Sequence, residues 1–578
     1  MMTTDKDACN IIVALLQMHG VNDVVISPGS RNAPLVIALT RTSTIRKTVV
    51  VDERSAAFVA LGMCAATNGA SPVAMVCTSG TALLNYAPAI AEAYYRHLPL
   101  IVISADRPIE WIDQDDSQTL RQYEALSNYV KKSYNVPSSC SDDNMRWYVN
   151  RIVNDALIAA VSERQAPVHI NVQLDEPLNA FKEIATIEKN RVVITPDVAR
   201  SINGATMQDV IINRLIGKKI LVVAGFQNDT DQGWVTDDCL TRLIATHGNI
   251  VMMTETLANI NVDSAIANVD RTLSTMTDWE RASMRPDIVI TIGGALVSRH
   301  IKQYLRQGNL EEHWHVGLTD TTIDCFQALT MRIEMRPREF FEQLQIALTN
   351  VDLIAGNEEV ENYAQKWLEI ADRARLSHDE YVANAVWSDM KAFSVILPKM
   401  KGNLHLSNGT PIRYQQLFDK NLNVRSLKCN RGVSGIDGST STAVGHAMAS
   451  LETTILITGD LSAEYDVGAL AINNIPSNFK MIVMCNGGGG IFRFINSTSK
   501  LPELEQYFVV EPKLPLRQLS EGYGFEYFQA DDEASLSAVL DDFLSPMQRP
   551  AILAIHTPPV ESAEILKGYF NRDKQQSI

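Results

Sequence analysis

An aspartate and an asparagine follow two β-branched runs in the last third of the chain. Asp460 comes soon after the run 453–458, and Asn486 comes soon after the run 481–484. About two dozen residues separate the runs, which is the length of a crossover between parallel strands. Parallel strands end at the same edge of a sheet, so both side chains are expected at the edge where open α/β sheets bind ligands. Carboxylate and amide oxygens suit Mg²⁺ or Ca²⁺ and do not suit Zn²⁺.

Four consecutive glycines, Gly487 to Gly490, follow Asn486. Glycine adopts positive φ without strain and lets the backbone approach a ligand closely. Mg²⁺ in proteins usually completes its coordination with phosphate oxygens and water. The pattern therefore predicts a site for a metal-bound diphosphate. The alternative is a strand-end aspartate beside a flexible turn, because a Gly-rich loop alone is weakly diagnostic.

The segment from Gly459 to Phe492 resembles the cofactor signature of thiamine-diphosphate enzymes, in which Gly-Asp is followed by a distant Asn. The resemblance implies that Asp460, Asn486 and the carbonyl of Gly488 hold Mg²⁺ on the diphosphate, with Mn²⁺ or Ca²⁺ able to substitute. The chain departs from the family at Cys485, where the family usually has the first of two adjacent asparagines. The cofactor-binding residues implied are Glu53, Ser434, Gly435, Ile436, Asp460, Leu461, Ser462, Asn486, Gly488, Gly489, Gly490 and Ile491.

The resemblance implies that Glu53 is the catalytic residue. Family members place one glutamate against the pyrimidine ring of the cofactor, where it favours the tautomer that takes the C2 proton of the thiazolium. In the family this glutamate comes from the other subunit of a dimer, and the small-residue helix expected at 55–66 would suit that interface. Without the resemblance, Asp-Glu-Arg after a predicted strand at 49–51 is an ordinary solvated turn.

Ile436 lies among small and turn-forming residues, which is unusual for a plain strand. The resemblance implies that this side chain supports the cofactor in a bent, V-shaped conformation. The alternative is an apolar plug in a tight turn.

Four motifs in the first part of the chain narrow the resemblance to one branch of the family: SPGSR, DERSAAFVALG, TSGTALLNYAPAIAEA and ADRP. That branch decarboxylates 2-oxoglutarate and adds the succinyl carbanion equivalent to isochorismate in menaquinone biosynthesis. The likeness is weak in the middle of the chain. The family also usually has a serine where this chain has Gly409. The implied substrate-binding residues are Ser30, Arg31, Arg107, Gln118, Arg299, Arg413, Arg431, Ile491 and Phe492.

Five of these substrate-binding residues are arginines, whose planar guanidinium binds carboxylates in a two-pronged manner. The two substrates are dicarboxylates, so we expect the five arginines to surround one cavity. An acetolactate-synthase-like enzyme, or another 2-oxo acid decarboxylase or carboligase, handles smaller monocarboxylates and is the first alternative. The second is a non-catalytic ligand-binding relative, which should have lost Glu53 or the pair Asp460 and Asn486.

Repeated strand–loop–helix patterns predict an α/β fold with three doubly wound parallel-sheet domains. We expect a pyrimidine-binding domain at 1–185, a central scaffold domain at 200–350, and a diphosphate- and metal-binding domain at 375–578. A linker is expected at 188–205 and a connecting helix at 357–375.

Two smaller patterns carry further expectations. Asn408 and Thr410 are suited to capping the helix that follows them. His313 and His315 would lie on one face of a strand, but without an evident third ligand a metal there is the minor alternative.

Composition limits the classes of function. The chain has 578 residues, 46% of them hydrophobic and 20% charged, which is ordinary for a globular protein too long for one core. A net charge of −16 argues against nucleic acid and anionic membranes as partners. No apolar run is long enough to span a membrane. Eight scattered cysteines and the lack of a signal-peptide core predict a cytoplasmic protein with reduced thiols. The resemblance implies that the protein forms a homodimer, or a dimer of dimers, with active sites between subunits.

Overall fold

The structure is a computed structural model that describes residues 2–183, 190–227, 237–262, 264–308, 310–319, 321–495 and 497–571. Three parallel sheets flanked by helices follow one another along these residues. The prediction of an α/β fold with three parallel sheets is therefore confirmed, while the domain boundaries drawn from the sequence stay predictions. Among the described residues, no helix is both long enough and apolar enough to cross a bilayer.

The first sheet has six parallel strands. They are β2 (Asp23–Ile26), β3 (Arg46–Val49), β4 (Val73–Cys77), β5 (Leu100–Asp106), β6 (Ser133–Val136) and β7 (Val168–Gln173), and a separate antiparallel pair joins β1 (Met2–Thr4) to β8 (Phe181–Glu183). The strand order across the sheet is β3-β2-β4-β5-β7-β6. Its helices are α1 (Asp7–Met18), α2 (Ala33–Thr40), α3 (Glu53–Ala66), α4 (Ala82–Asn85), α5 (Ala87–Arg96) and α6 (Asp143–Val161).

The second sheet has five parallel strands in the order β10-β9-β11-β12-β13. They are β9 (Ile220–Ala224), β10 (Ile250–Thr254), β11 (Ile288–Ile292), β12 (Glu312–Val316) and β13 (Leu329–Ile333). The helices are α7 (Gly204–Thr206), α8 (Asn213–Leu215), α9 (Asp237–Thr246), α10 (Val269–Ser274), α11 (Asp278–Ser283), α12 (Arg299–Arg306) and α13 (Pro337–Ala347), and α14 (Glu358–Glu361) and α15 (Tyr363–Asn384) lead to the third sheet.

The third sheet has six parallel strands, and their order β15-β14-β16-β17-β19-β18 repeats the connectivity of the first sheet. They are β14 (Gly402–Leu406), β15 (Val424–Lys428), β16 (Thr454–Gly459), β17 (Phe479–Cys485), β18 (Glu526–Ala530) and β19 (Ala551–His556). The helices are α16 (Asp389–Ile396), α17 (Thr410–Gln415), α18 (Ser439–Ala449), α19 (Asp460–Tyr465), α20 (Gly490–Phe494), α21 (Leu516–Gly522), α22 (Glu533–Leu544) and α23 (Pro559–Tyr569). In both sheets the strand order reverses beside the first strand, and such a reversal opens a crevice at the carboxyl ends of the strands.

The first and third sheets are joined within the chain by the crossing of α3 and α18. A β-carbon on Gly62 would collide with the carbonyl oxygen of Thr442, and one on Gly445 would collide with the carbonyl oxygen of Val59. Only glycine at these two positions lets the helix backbones come this close. Gly62 therefore packs α3 against α18 of the same chain, while the expectation that the small residues of α3 suit a subunit interface stays a prediction.

Several element boundaries differ from those predicted. Strand β3 ends at Val49, which pairs with the last residue of β2, Ile26, so the predicted strand at 49–51 has the wrong bounds. Helix α3 begins at Glu53 itself, and the side chain of Asp52 accepts a hydrogen bond from Arg54 N at its start. Helices α4 and α5 are separated at Tyr86.

The predicted connections are partly described. Residues 190–203 of the expected linker contain no helix or strand, and residues 188 and 189 lie outside the described residues. The segment from residue 572 onwards also lies outside them. The predicted connecting helix continues to Asn384 as α15.

Replacing Gly62 by alanine should destabilise the protein by roughly 1–3 kcal/mol, because the added methyl group has no space at the helix crossing. Chemical denaturation followed by circular dichroism measures the change. Gly522→Ala is the matched control, since Gly522 is also helical and has open space around its β-carbon position. Equal stabilities for the two variants would contradict the close crossing.

Candidate active site

Asp460 is the first residue of α19, at the carboxyl end of β16, and it is 5% exposed. Its Oδ1 accepts a hydrogen bond from Leu461 N at 2.8 Å, and its Oδ2 accepts hydrogen bonds from Gly487 N at 2.9 Å and Gly488 N at 3.1 Å. β16 and β17 pair in parallel, which brings these segments to one edge as predicted. The aspartate therefore holds the first turn of the glycine loop.

Gly488 and Gly489 in the glycine loop have no room for a side chain. Gly488 has φ +102°, and a β-carbon there would lie 2.5 Å from the carbonyl oxygens of Val509 and Val510. Gly489 N donates a hydrogen bond to Val509 O at 2.7 Å. The loop conformation thus depends on glycine and on the backbone of residues 509 and 510.

Asn486, 5% exposed, follows β17 in the same crevice, and its Nδ2 donates a hydrogen bond to Asp389 Oδ2 at 2.8 Å. Asp389 begins α16 and is separated from Asn486 by 97 positions. No pattern in the sequence links these two residues, so sequence analysis missed Asp389.

The loop that contains Ile436 is hydrogen-bonded to helix α19. Ser462 Oγ donates a hydrogen bond to Ile436 O at 2.7 Å. Asn408 Nδ2 donates to Gly435 O at 2.7 Å and to Asn430 O at 2.6 Å. The expectation that Asn408 and Thr410 cap α17 is wrong, because Gly409 is the capping residue and no side-chain hydrogen bond caps the helix.

Ser434 lies in the loop at 434–436, and Leu461 lies at the start of α19. The hydrogen bond from Ser462 Oγ to Ile436 O joins these two segments. Ser434 adopts φ +73°, which fits a tight turn beside Ile436. Ile491 and Phe492 lie on α20 directly after the glycine loop and are half-buried.

These residues fit a metal-bound diphosphate. Burial raises the pKa of Asp460 to about 6, so ionising this carboxylate costs more than it would in water. A divalent cation would offset that cost, with oxygen ligands from Asp460, the amide of Asn486 and the carbonyl of Gly488. The glycine backbone of the loop can lie against phosphate oxygens without steric conflict.

Three of the predicted substrate-binding arginines interact with one another. Burial lowers the pKa of Arg413 to about 10, and the nearby charges of Arg299 and Arg431 contribute to this lowering. The Nε atoms of Arg413 and Arg431 are buried and have no hydrogen-bond partner among the described residues. Arg431 Nη1 donates to Asn408 Oδ1 at 3.1 Å, which connects this group to the Ile436 loop.

Two buried acids, Glu255 and Asp270, lie beside these arginines, and no pattern in the sequence indicated them. Glu255 accepts hydrogen bonds from Val297 N and Ser298 N, both at 2.6 Å, and burial raises its pKa to about 7. Ser298 Oγ donates to Asp270. The two acids thereby hold the start of α12, where Arg299 is located, and partly balance the positive charge of Arg413.

The other two arginines form a separate pair in the first domain. Arg31 is 5% exposed and forms an ion pair with Glu176 at 3.0 Å. Arg107 forms one with Asp116 at 3.0 Å and donates to Ser117 O at 2.8 Å. The charges of Arg31 and Arg107 are close enough to interact.

The remaining first-domain positions, Ser30 and Gln118, are near this pair in sequence and are not fully buried. Within the described chain, the five arginines therefore form two groups. The expectation that the five arginines surround one cavity stays a prediction, since no contact between the two groups is found among the described residues of this chain.

Glu53 lies at the start of α3, close enough to Cys77 and Tyr86 to influence both electrostatically. Among the described residues, no hydrogen bond links Glu53 to the Asp460 loop. Its neighbour Arg54 donates to Tyr465 O at 3.1 Å, at the far end of α19. The start of α3 therefore contacts α19 in the third domain. Among the described residues, Glu53 itself is not hydrogen-bonded to Asp460 or to the glycine loop.

The histidines of β12 have a structural explanation. His313 Nε2 and His315 Nδ1 lie 2.9 and 3.0 Å from Thr291 Oγ1, inside the second domain. In the part of the chain that the structure describes, no group of three potential ligands could hold a metal through side chains of His, Cys, Asp and Glu. The minor alternative of a metal at these histidines thus gains no support.

The fold and the Asp460 loop define a thiamine-diphosphate-dependent enzyme. Residues 6–125 match the family model described as thiamine pyrophosphate enzyme, N-terminal TPP binding domain. The chain belongs, within that class, to the 2-succinyl-5-enolpyruvyl-6-hydroxy-3-cyclohexene-1-carboxylate synthase family, because near-full-length relatives carry that name.

Three of these relatives illustrate the similarity. The chain is 38% identical over 571 residues to the synthase of Porphyromonas gingivalis, covering 98% of this chain and 97% of the relative. It is 38% identical over 563 residues to that of Flavobacterium psychrophilum, covering 97% of each chain. It is 36% identical over 582 residues to that of Bacteroides thetaiotaomicron, covering 100% of each chain.

Replacing Gly488 by alanine should weaken Mg²⁺ binding in the presence of thiamine diphosphate by at least about tenfold, because the added methyl group displaces the loop from Val509 and Val510. Isothermal titration calorimetry measures the affinity. Gly522→Ala is the control, since Gly522 lies outside the glycine loop and has open space at its β-carbon position. Similar affinities for both variants would show that the tight loop does not shape the site.

Proposed function

We propose that the chain decarboxylates 2-oxoglutarate with thiamine diphosphate and adds the succinyl group to isochorismate, giving 2-succinyl-5-enolpyruvyl-6-hydroxy-3-cyclohexene-1-carboxylate and CO₂ in menaquinone biosynthesis. The observation that carries this proposal is the buried Asp460–Asn486 crevice in a chain whose full-length relatives bear the name of that synthase. The retention of Glu53, Asp460 and Asn486 opposes the alternative of a non-catalytic relative.

The cofactor, when bound, supplies a carbanion that attacks a keto carbon and an electron sink for decarboxylation. Asp460, Asn486 and Gly488 would hold its diphosphate through Mg²⁺, or through Mn²⁺ or Ca²⁺ in its place. Ile436, fixed by the bond from Ser462 to its carbonyl, would support the bent cofactor. Glu53 would hold a proton against the pyrimidine ring and so prepare the cofactor for reaction.

The arginines support dicarboxylate substrates. Arg299, Arg413 and Arg431 concentrate positive charge beside the Ile436 loop in a protein whose net charge is −16. Two buried Nε donors that lack partners among the described residues are available there to carboxylate oxygens. A monocarboxylate such as pyruvate would leave part of this charge unbalanced, which disfavours the acetolactate-synthase-like alternative.

Assembly and location are also proposals. By likeness to the family, the active chain would be a homodimer or a dimer of dimers in which Glu53 of one subunit completes the Asp460 site of the other. Among the described residues no disulfide joins any of the eight cysteines, and six of them are buried, which suits the reducing cytoplasm.

Replacing Glu53 by glutamine should lower turnover by at least about 100-fold, because the amide cannot exchange the proton with the cofactor. Binding of thiamine diphosphate and Mg²⁺, followed by fluorescence quenching, should change little. The matched control is Glu110→Gln in the same domain. Turnover of Glu53→Gln close to that of the unmodified protein would contradict the role of Glu53.

A mixture of Glu53→Gln and Asp460→Asn chains tests the shared site. Random exchange of subunits in a two-fold dimer should restore about a quarter of the activity, because each mixed dimer has one site with both native residues. Each variant alone is the control and should be inactive. A mixture as inactive as its components would show that Glu53 and Asp460 act within one chain.

Replacing Arg413 by methionine should raise KM for 2-oxoglutarate or isochorismate by roughly 10- to 100-fold, the loss expected for a hydrogen bond between charged groups. Steady-state kinetics with each substrate measures the change, and pyruvate should be a poor substrate for the unmodified enzyme. Arg549→Met, a surface arginine paired with Glu526, is the control. Efficient use of pyruvate, together with unchanged KM values in Arg413→Met, would favour the acetolactate-type alternative.

A further inference from the structure

Asp389 is a buried carboxylate behind the amide of Asn486, and only 2% of this residue is exposed. Its Oδ2 accepts the hydrogen bond from Asn486 Nδ2 at 2.8 Å. Its Oδ1 accepts one from Thr557 Oγ1 at 2.6 Å, and its backbone N–H donates to Ser562 Oγ at 3.0 Å. Both carboxylate oxygens therefore have partners, and one of these partners is the predicted metal ligand.

The chemistry of the pair fixes the orientation of the amide. Both carboxyl oxygens of Asp389 accept hydrogen bonds, whereas an asparagine side chain has one donor group and one acceptor atom. Because Asp389 occupies the donor group of Asn486, Oδ1 must face away from Asp389. The reversed amide would place Oδ1 against a carboxylate and would offer Nδ2, which cannot bind a cation, to the metal.

The same chemistry explains why position 486 carries an amide. A carboxylate is normally the stronger ligand for Mg²⁺. An aspartate at 486 would, however, place two carboxylates within hydrogen-bonding distance in a buried position, with the charge of Asp460 nearby. Only an amide can donate to Asp389 and present an oxygen to the metal at the same time.

We propose that Asp389 is a positioning residue that holds the Asn486 amide with its oxygen toward the metal, and that this pairing selects asparagine over aspartate at position 486. The inference rests on the proposed function, since amide orientation matters only if a metal binds beside Asp460. Through Asp389, helix α16 would take part in the metal site, which the sequence of the helix alone does not indicate.

A purely structural role for Asp389 makes a different prediction. The bonds to Thr557 and Ser562 also anchor α16 to the segment that leads into α23. Thr557→Val removes one of these anchoring bonds and leaves the bond to Asn486 intact. A structural role therefore predicts weaker metal binding in Thr557→Val, whereas the positioning role predicts no change.

The decisive experiment exchanges the two residues. Mg²⁺ dissociation constants are measured by intrinsic fluorescence at saturating thiamine diphosphate for the full chain and for Asn486→Asp, Asp389→Asn and the double variant. We expect Asn486→Asp to bind Mg²⁺ at least about tenfold more weakly, the loss typical of a disturbed outer ligand shell. Asp389→Asn should change affinity by less than about threefold, because the oxygen of the new amide can still accept from Asn486.

The double variant should recover most of the loss, because the amide introduced at position 389 can then donate to the carboxylate introduced at position 486. Asn486→Asp binding as tightly as the unmodified chain, or a double variant no tighter than Asn486→Asp, would overturn the proposal. Weaker binding in Thr557→Val that equals the loss in Asn486→Asp would also overturn it, in favour of the structural role.

Thermal unfolding verifies that each variant is folded. If Asn486→Asp does not fold, Asp389→Ala replaces it, and affinity at least about tenfold below that of Thr557→Val is the expected result. Equal affinities in Asp389→Ala and Thr557→Val would overturn the proposal. Failure of the unmodified chain to bind Mg²⁺ with thiamine diphosphate would instead refute the proposed function, so the two failures are distinguishable.

Discussion

The buried carboxylate of Asp460 organises the candidate active site. It accepts hydrogen bonds from backbone N–H groups on α19 and on the glycine loop, and so fixes two chain segments that converge only because β16 and β17 are parallel. Burial makes its ionised form costly, as the raised pKa indicates. In the proposed site a cation would relieve that cost, and the amide of Asn486 and the carbonyl of Gly488 would supply further oxygen ligands. The carboxylate stabilises the loop conformation through the same two oxygens that would attract the proposed metal.

The rest of the fold brings charge and shape to this crevice. The first and third sheets have the same connectivity and meet through α3 and α18, whose glycines allow close packing. The second sheet contributes the start of α12, held by Glu255 and Asp270, and with it Arg299. Three arginines therefore gather where the second and third domains meet, although their mutual repulsion opposes this. Buried acids offset part of that repulsion, which leaves net positive charge beside the Ile436 loop.

Sequence reasoning identified what lies close along the chain and what strand topology implies. The three parallel sheets and the parallel pair β16 and β17 are as expected. It could not identify Asp389, because nothing local distinguishes a helix-start aspartate from one that bonds a residue 97 positions away. Capping by Asn408 was a reasonable local inference that tertiary hydrogen bonds to Gly435 and Asn430 override.

The central claim, joining of two substrates by a thiamine-diphosphate enzyme, is tested most directly by the mass of the product. The purified chain is incubated with thiamine diphosphate, Mg²⁺, 2-oxoglutarate and isochorismate, and a parallel sample omits isochorismate. The proposed synthase activity predicts a species with the combined mass of both substrates less CO₂, formed only in the complete mixture. Release of CO₂ from 2-oxoglutarate without that species would contradict the proposed synthase activity. The absence of any CO₂ release from 2-oxoglutarate would also contradict it.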